Sequence, residues 1–354
     1  MKRRRVAIVC PGRGSYGPTE LGCLTSTERP DPGGVRAQLL ARADAWRASI
    51  GRPLLAELDR RERFGAVHMA GENAAALIYT ASAADARSLR SDLEVVAVCG
   101  NSMGWYTALH VAGCLSFDDG LRLVDTMGGM QKDGIIGGQV IEPVVDEEWR
   151  PDPERRRRVT EVLEGIRARG FAAEWSIHLG GFEVLAGEDD AVRLLLKELP
   201  KEKMGRREYP FQLLGHAAFH TPLMEEVARR GREELADLPF TAPRIPLVDG
   251  RGFVFDTVTT RGEDLFDYTL GHQVTRTFDF TTCVRVVMRE FAPDALVLLG
   301  PGDTLGGAIG QVLVEEGWAG IHSKTDFLSR QASEDPLLHS MGRPEQLRQV
   351  LAVS

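Results

Sequence analysis

The sequence lacks the features that mark a membrane protein or a disulfide-rich secreted protein. No apolar run in its 354 residues approaches the roughly 20 residues needed to cross a bilayer. The five cysteines include no C-x-x-C pair, and their odd number favours reduced thiols over a disulfide framework. The apolar residues 6–10, which follow a basic start, are too few for a signal peptide. We therefore expect a cytoplasmic protein without a membrane partner.

The chain also has no excess of positive charge. Its formal net charge is −8 at pH 7, so nucleic acid is not an expected partner. With 43% hydrophobic and 27% charged residues, the composition is that of a globular protein with a sizeable core. The length allows one large domain or two ordinary ones.

Short apolar runs alternate with helical patterns in the first third of the chain, which predicts an α/β protein. Residues 6–10 read as a buried strand that ends at a loop containing Pro11, Gly12 and Gly14. A second strand is predicted over 94–99, after helical patterns over 35–50, 53–63 and 71–91. Helices are also predicted over about 103–113 and from Ser116 to about 130.

The middle of the chain has a different pattern. Its predicted order is strand, helix, two strands, helix and strand, which is the ferredoxin-like order. The segments are strand 139–145, helix 152–170, two strands within 173–187, helix 189–199 and strand 206–213. Residues 132–138 read as the linker that enters this region.

One serine stands in a G-x-S-x-G pattern directly after the second predicted strand. Gly100, Ser102 and Gly104 fit a nucleophile elbow, in which the glycines allow a sharp turn and a close helix start. A serine that merely begins a helix is the competing interpretation. A nucleophilic serine needs a base, and His220 stands in the distinctive frame "HAAFHTPLM".

Four stretches of the sequence together resemble the malonyl-CoA:acyl-carrier-protein transacylase family. They are "IVCPGRGS", "GNSMGWYTALHVAGCLSFDDGLRLVDTMGGMQ", "AAFHTPLMEEV" and "LLGPGDTLGG". The usual family forms are F-P-G-Q-G-S, G-H-S-x-G-E-Y-x-A-L, a-x-F-H-S-x-x-M and v-G-P-G-x-x-L. The stretches occur in family order and span residues 6 to about 310.

The resemblance implies an α/β fold with an α/β-hydrolase-like large domain and an inserted ferredoxin-like subdomain. The large domain would comprise residues 1–131 and 214–354, and the subdomain residues 132–213. It also implies ping-pong acyl transfer from an acyl-CoA or phosphopantetheine thioester to an acyl carrier protein. No bound cofactor and no metal site are expected.

The resemblance assigns roles to five residues. Ser102 matches the nucleophile and His220 the general base. The family orients this histidine through a backbone carbonyl near a glutamine, for which Gln273 is the match. The backbone N–H groups of Arg13 and Met103 would hold the oxyanion, a role that does not depend on the side chain.

The sequence departs from the family where malonyl-type substrates are recognised. Family members hold the free carboxylate with an arginine 25 residues after the nucleophile, and this position is Met127 here. Burying a carboxylate without a cation costs several kcal/mol. We therefore expect an acyl group without a terminal charge. The expected acyl pocket comprises Asn101, Met127, His178, Phe182 and Phe219.

Several functions remain open from the sequence. The first is transfer of a non-carboxylated acyl group to a carrier protein, in polyketide or fatty-acid biosynthesis. A hydrolase that removes acyl groups from carrier proteins would use the same residues, with water as second nucleophile. Malonyl transfer by an unusual pocket is a third function, and docking of a carrier protein without catalysis is a fourth. Residues 155–158 and the group Lys201, Lys203, Arg206 and Arg207 are candidate basic surfaces for a carrier protein.

Overall fold

The structure, a computed structural model, describes residues 3–130, 136–205 and 207–352. Its strands are β1 (Arg4–Cys10), β2 (Leu93–Gly100), β3 (Gly138–Pro143), β4 (Ala173–Leu179), β5 (Phe182–Gly187), β6 (Glu202–Met204), β7 (Arg207–Tyr209), β8 (Phe211–Gln212), β9 (Leu247–Val248), β10 (Val254–Phe255), β11 (Phe278–Asp279), β12 (Ala295–Leu298) and β13 (Leu338–Ser340).

Helices cover and connect these strands. They are α1 (Val35–Ser49), α2 (Leu55–Asp59), α3 (Ala66–Met69), α4 (Gly71–Arg87), α5 (Gly104–Val111), α6 (Phe117–Gly129), α7 (Pro153–Ala168), α8 (Asp189–Glu198), α9 (Glu225–Glu234), α10 (Gly262–Asp267), α11 (Gln273–Thr275), α12 (Phe280–Phe291), α13 (Gly306–Glu315), α14 (Lys324–Gln331) and α15 (Pro344–Val350). A π-helical turn, Tyr268–His272, joins α10 to α11.

The larger sheet has six strands in the order β10-β9-β2-β1-β12-β13. Its pairs are parallel except for the β9–β10 pair. Residues 6–10 of the central strand β1 are at most 1% exposed, because helices cover both faces of a parallel sheet. The continuous apolar run at the start of the sequence follows from this burial.

The second sheet has the order β11-β4-β5-β3-β8. The pairs among β3, β4, β5 and β8 are antiparallel, whereas β11 is parallel to β4. This sheet has its own apolar core against α7 and α8, which includes Val140, Leu163, Leu185 and Leu195. Strand β11 follows closely after α11 and so links the second sheet to the last third of the chain.

The mixed α/β character predicted from the sequence is confirmed. The predicted helix from Ser116 is also confirmed: Ser116 caps α6 and accepts a hydrogen bond from the N–H of Asp119 at 3.1 Å. The single strand predicted over 206–213 is wrong. The segment contains β7 and β8 on either side of Pro210, which has no N–H for a continuous ladder.

Two predictions about the subdomain boundaries lie partly outside the described residues. The linker predicted over 132–138 includes 132–135, and the boundary between 131 and 132 falls in the same gap. In the described part of the chain no helix has the length and apolar character that crossing a membrane requires. The five cysteines form no disulfide, since all of them are free.

Candidate active site

Ser102 lies in a tight turn between β2 and α5. Its φ angle is 54°, a left-handed conformation that non-glycine residues rarely adopt. A Cβ on Gly100 would collide with the carbonyl of Gly104, and one on Gly104 would collide with the carbonyl of Cys10. Only glycine therefore fits at both positions. The turn presents the serine at the carboxyl end of a central strand, as in a nucleophile elbow.

The hydroxyl of Ser102 contacts the imidazole of His220. The distance from Ser102 Oγ to His220 Nε2 is 2.7 Å, and His220 Nδ1 lies 2.6 Å from the carbonyl oxygen of Gln273. Because a carbonyl only accepts, Nδ1 carries the proton and Nε2 is free to accept the proton of the serine. Burial lowers the pKa of His220 to about 4, so the imidazole is neutral at pH 7.

Gln273 touches both partners of this pair. Its carbonyl orients His220, while its side-chain amide donates to the carbonyl oxygen of Ser102 at 3.1 Å. The hydroxyl of Tyr106 donates to the side-chain oxygen of Gln273 at 3.2 Å. Gln273 begins α11 directly after the π-helical turn. The structure thus brings the three residues assigned to catalysis by resemblance into one hydrogen-bonded group.

The loop that carries Arg13 runs beside the serine turn. Strands β1 and β2 pair in parallel with Cys10 opposite Gly100, and the N–H of Asn101 donates to the carbonyl of Cys10 at 3.0 Å. The N–H of Met103 makes no hydrogen bond within the described part of the chain. Arg13 and Met103 both line the cavity at Ser102.

A cavity of about 330 Å³ opens at Ser102. Of the residues expected in the acyl pocket, Asn101, Met127 and Phe219 line it. Met127 is only 8% exposed. Apolar side chains from several elements line the same cavity, namely Val124, Ile177, Leu179, Val184, Met224, Val227 and Val274.

The structure contradicts the expectation that His178 and Phe182 belong to this pocket. Neighbouring residues of a strand face opposite sides of the sheet. Ile177 and Leu179 line the cavity, so His178 faces away and lines a second cavity instead. Phe182 lies at the start of β5, where its ring packs on Tyr209 with centroids 5.6 Å apart.

Two cations line the cavity although position 127 is not an arginine, namely Arg13 and Arg207. The guanidinium of Arg13 donates to the carbonyl of Met69 at 2.7 Å and lies 6.0 Å from the ring centroid of Phe219. Met69 is 43% exposed and Arg207 is exposed. Arg207 is therefore open to solvent, whereas Arg13 is half-buried and burial lowers the pKa of its guanidinium. Met127 is more deeply buried than either cation.

The basic run at 155–158 is neutralised by carboxylates. Arg157 pairs with Glu154 at 2.6 Å, and Arg155 pairs with Glu202 at 3.2 Å. This pairing is typical of a solvated helix face. Arg206 of the second candidate surface lies outside the described residues. Among the described residues no group of three or more metal-ligating side chains occurs.

Sequence reasoning assigned no functional role to three residues beside the Ser102–His220 pair. His216 and Gln139 line the cavity, and Ser176 joins them in a hydrogen-bonded chain. His216 is in the same frame as His220, which could have drawn attention to it. The pairing with Gln139, 77 positions away, has no signal in the sequence.

No protein-family model matches the chain, but curated proteins do. The polyketide synthase GfsB of Streptomyces halstedii is 29% identical over 210 residues, which are 59% of this chain and 3% of the synthase. ThaF, a polyketide biosynthesis protein of Burkholderia thailandensis, is 32% identical over 46% of this chain and 13% of its own length. The malonyl CoA-acyl carrier protein transacylase of Bacillus subtilis is 24% identical over 67% of this chain and 71% of its own length. The chain thus matches only a small part of the first two relatives.

Solved structures share the fold over nearly the whole chain. The acyl-carrier-protein-S-malonyltransferase from Bartonella henselae matches with a TM-score of 0.73, 21% identity and 97% coverage of both chains. The acyltransferase domain from the second module of the salinomycin polyketide synthase has a TM-score of 0.68 and 20% identity, covering 99% of this chain and 72% of that chain. The fold is therefore that of this class of acyltransferases. The sequence relatives add a similarity to the malonyl CoA-acyl carrier protein transacylases of Bacillus subtilis and Escherichia coli, which supports this family for the chain.

Proposed function

We propose that this protein moves an acyl group without a terminal carboxylate from a CoA or carrier-protein thioester to an acyl carrier protein, in polyketide or fatty-acid biosynthesis. The acyl group would be held as an ester on Ser102. The observation that carries this proposal is that the Ser102–His220 pair, at 2.7 Å, opens into a cavity with a buried apolar end at Met127.

The first half of the proposed reaction loads the enzyme. His220 Nε2 takes the proton of Ser102 as Oγ attacks the thioester carbonyl. The N–H groups of Arg13 and Met103 would stabilise the oxyanion, where one lost donor costs roughly 3–4 kcal/mol. As the intermediate collapses, the carbon–sulfur bond breaks and the histidine returns its proton to the leaving thiolate.

The second half unloads the acyl group to a carrier protein. The phosphopantetheine thiol gives its proton to His220 and attacks the ester carbonyl. When the ester bond breaks, the proton passes to Ser102 Oγ and the free enzyme is restored. One solved relative is a carrier protein in complex with its malonyl-transacylase, with a TM-score of 0.72. This likeness supports a carrier protein as the partner here.

The buried end of the cavity supports an uncharged acyl group. Met127 lies there with Val124, Met224 and Val227, and none of these side chains can pair with a carboxylate. Among the described lining residues the cations are Arg13 and Arg207. Arg207 is exposed, and the guanidinium of Arg13 donates to the carbonyl of Met69. A carboxylate at the buried end would lose its hydration without gaining a partner, which costs several kcal/mol.

We also propose that residues 132–213 form a ferredoxin-like subdomain inserted into an α/β-hydrolase-like domain of residues 1–131 and 214–354. The antiparallel order β4-β5-β3-β8 and the separate core with α7 and α8 support the insert. The parallel sheet with Ser102 at the carboxyl end of β2 supports the larger domain.

A panel of acyl thioesters tests the function. The protein is incubated with acetyl, longer linear acyl and malonyl thioesters of CoA, and its intact mass is measured before and after a carrier protein is added. We expect an adduct with uncharged acyl groups that passes to the carrier protein and is absent from S102A. Preferential labelling by malonyl-CoA contradicts the proposed specificity. Rapid loss of the adduct as free acid without an acceptor favours the hydrolase instead.

A further inference from the structure

A second histidine, His216, lines the same cavity and has no part in the acyl-transfer steps. Its Nδ1 lies 2.8 Å from the side-chain oxygen of Gln139. The side-chain amide of Gln139 donates to Ser176 Oγ at 2.6 Å, and Ser176 Oγ donates to the carbonyl of Phe219 at 2.7 Å. Four residues thus form one hydrogen-bonded chain from the cavity to the residue before His220.

The direction of each hydrogen bond in this chain fixes the tautomer of His216. The carbonyl of Phe219 can only accept, so Ser176 donates its single hydroxyl proton there and must accept from Gln139. The amide NH₂ of Gln139 therefore faces Ser176, and its oxygen faces His216. Because that oxygen only accepts, Nδ1 of His216 carries the proton and Nε2 carries a lone pair.

The environment keeps His216 in this neutral form. Gln139 is 1% exposed and Ser176 is fully buried, so water does not compete for their hydrogen bonds. Burial and the nearby guanidinium of Arg13 lower the pKa of His216 to about 3. Within the described residues, Nε2 of His216 makes no hydrogen bond. The cavity therefore contains a neutral acceptor held in one orientation.

We infer that Nε2 of His216 accepts a hydrogen bond from an uncharged donor on the thioester substrate. This inference rests on the proposed function, because it names the part of the substrate that the same cavity recognises. Two parts of a thioester substrate carry such donors: the amide N–H groups of the pantetheine arm and a hydroxyl on the acyl chain.

The position of His216 favours the pantetheine arm as the source of the donor. His216 follows Leu214, which is 78% exposed, and Gly215, whose Cβ would lie 3.8 Å from the guanidinium of Arg13. Leu214 and Gly215 are exposed and His216 is half-buried, which places His216 towards the opening through which the arm must pass to bring its sulfur to Ser102. Met127, where the acyl chain would end, lies on the buried side.

Two matched pairs of thioesters test the inference. In the first pair, an N-acetylcysteamine thioester is compared with the same acyl thioester of 2-mercaptoethyl acetate, in which an ester oxygen replaces the amide N–H. In the second pair, a 3-hydroxyacyl thioester is compared with the acyl thioester that lacks the hydroxyl, both on the ester arm. For each pair, the ratio of the kcat/KM values for acylation of Ser102 is measured.

We expect the wild-type protein to favour the amide arm about tenfold, as expected for one neutral hydrogen bond. H216F should bring this ratio close to one, because phenylalanine keeps the ring beside Phe219 and removes the acceptor. Q139M removes the oxygen that keeps the proton of His216 on Nδ1, so that Nε2 can carry it instead. This variant should lower the ratio as well. The control H322F changes an exposed histidine and should keep the wild-type ratio.

The outcomes separate the inference from the proposed function. If H216F and Q139M lower the ratio only for the hydroxyl pair, Nε2 of His216 is still a hydrogen-bond acceptor, but its donor is the hydroxyl of the acyl chain. Ratios unchanged from wild type for both pairs in folded H216F and Q139M overturn the inference. If no thioester acylates Ser102 of the wild-type protein in an intact-mass measurement, the proposed function itself fails.

Discussion

The thioether of Met127 in α6 lies against the backbone of Gly231 in α9. A Cβ on this glycine would come within 2.8 Å of the methionine sulfur. The same position would lie 3.7 Å from a methyl group of Leu270. The surroundings of Met127 are therefore apolar and closely packed, and its thioether fills the space that a side chain at residue 231 would need.

The first prediction concerns the charge at this end of the cavity. M127R should raise the ratio of malonyl to acetyl loading at least about tenfold, because a guanidinium would offset the desolvation of the carboxylate. The ratio is measured by intact mass with equal concentrations of both CoA thioesters. M127L, which conserves volume without charge, is the control. An unaltered ratio in folded M127R means that Met127 does not contact the acyl group.

The second prediction concerns the pH dependence of loading. His220 must be neutral to accept the serine proton, and burial lowers its pKa to about 4. The neutral form therefore persists as the pH falls through 6.5 and is lost only near pH 4. The kcat/KM for acylation should stay nearly constant from pH 8 to about 5 and decrease below that. A decrease centred near pH 6.5 would show an ordinary histidine instead.

The third prediction concerns the glycines of the serine turn. G100A should destabilise the protein by several kcal/mol, because its Cβ has no space beside the carbonyl of Gly104. G165A in α7 is a matched control, since a Cβ there meets nothing within 4 Å. It should stabilise the helix by up to about 1 kcal/mol. Both effects are measured by urea unfolding, and equal effects would contradict the close contact.

The fourth prediction concerns Glu142 in β3, which is 1% exposed and has a carboxylate oxygen without a partner among the described residues. Burial raises its pKa from 4.5 to about 8. The protonated carboxyl therefore favours the folded state most below pH 4.5, and this contribution is lost as the pH rises through 8. E142Q should thus stabilise the protein more at pH 8.5 than at pH 5.

Thermal unfolding at both pH values measures this difference. E147Q changes an exposed glutamate and should show no such pH dependence. A similar change in melting temperature for E142Q at pH 5 and pH 8.5 would show that Glu142 has the same pKa in the folded and unfolded chains.

Motif reasoning named the residues that meet at the active site, although 118 positions separate Ser102 from His220. It also named Gln273, whose carbonyl completes the group. It failed for His178 and Phe182, because a spacing within a motif does not say which face of a strand lines a cavity. Motif reasoning did not predict that the side chain of Arg13 lines the cavity, because the resemblance assigned a role only to the backbone N–H of this residue.

The turn at Ser102 follows only partly from local sequence: Gly100 is limited by the carbonyl of Gly104 four positions on, whereas Gly104 is limited by the carbonyl of Cys10 on the neighbouring strand. The strands and helices beside it follow from short-range apolar patterns. Which side chains share the cavity depends on contacts between distant segments, as in the hydrogen bonds that connect His216, Gln139 and Ser176. Such contacts are set by strand register and packing, which the tertiary fold alone determines.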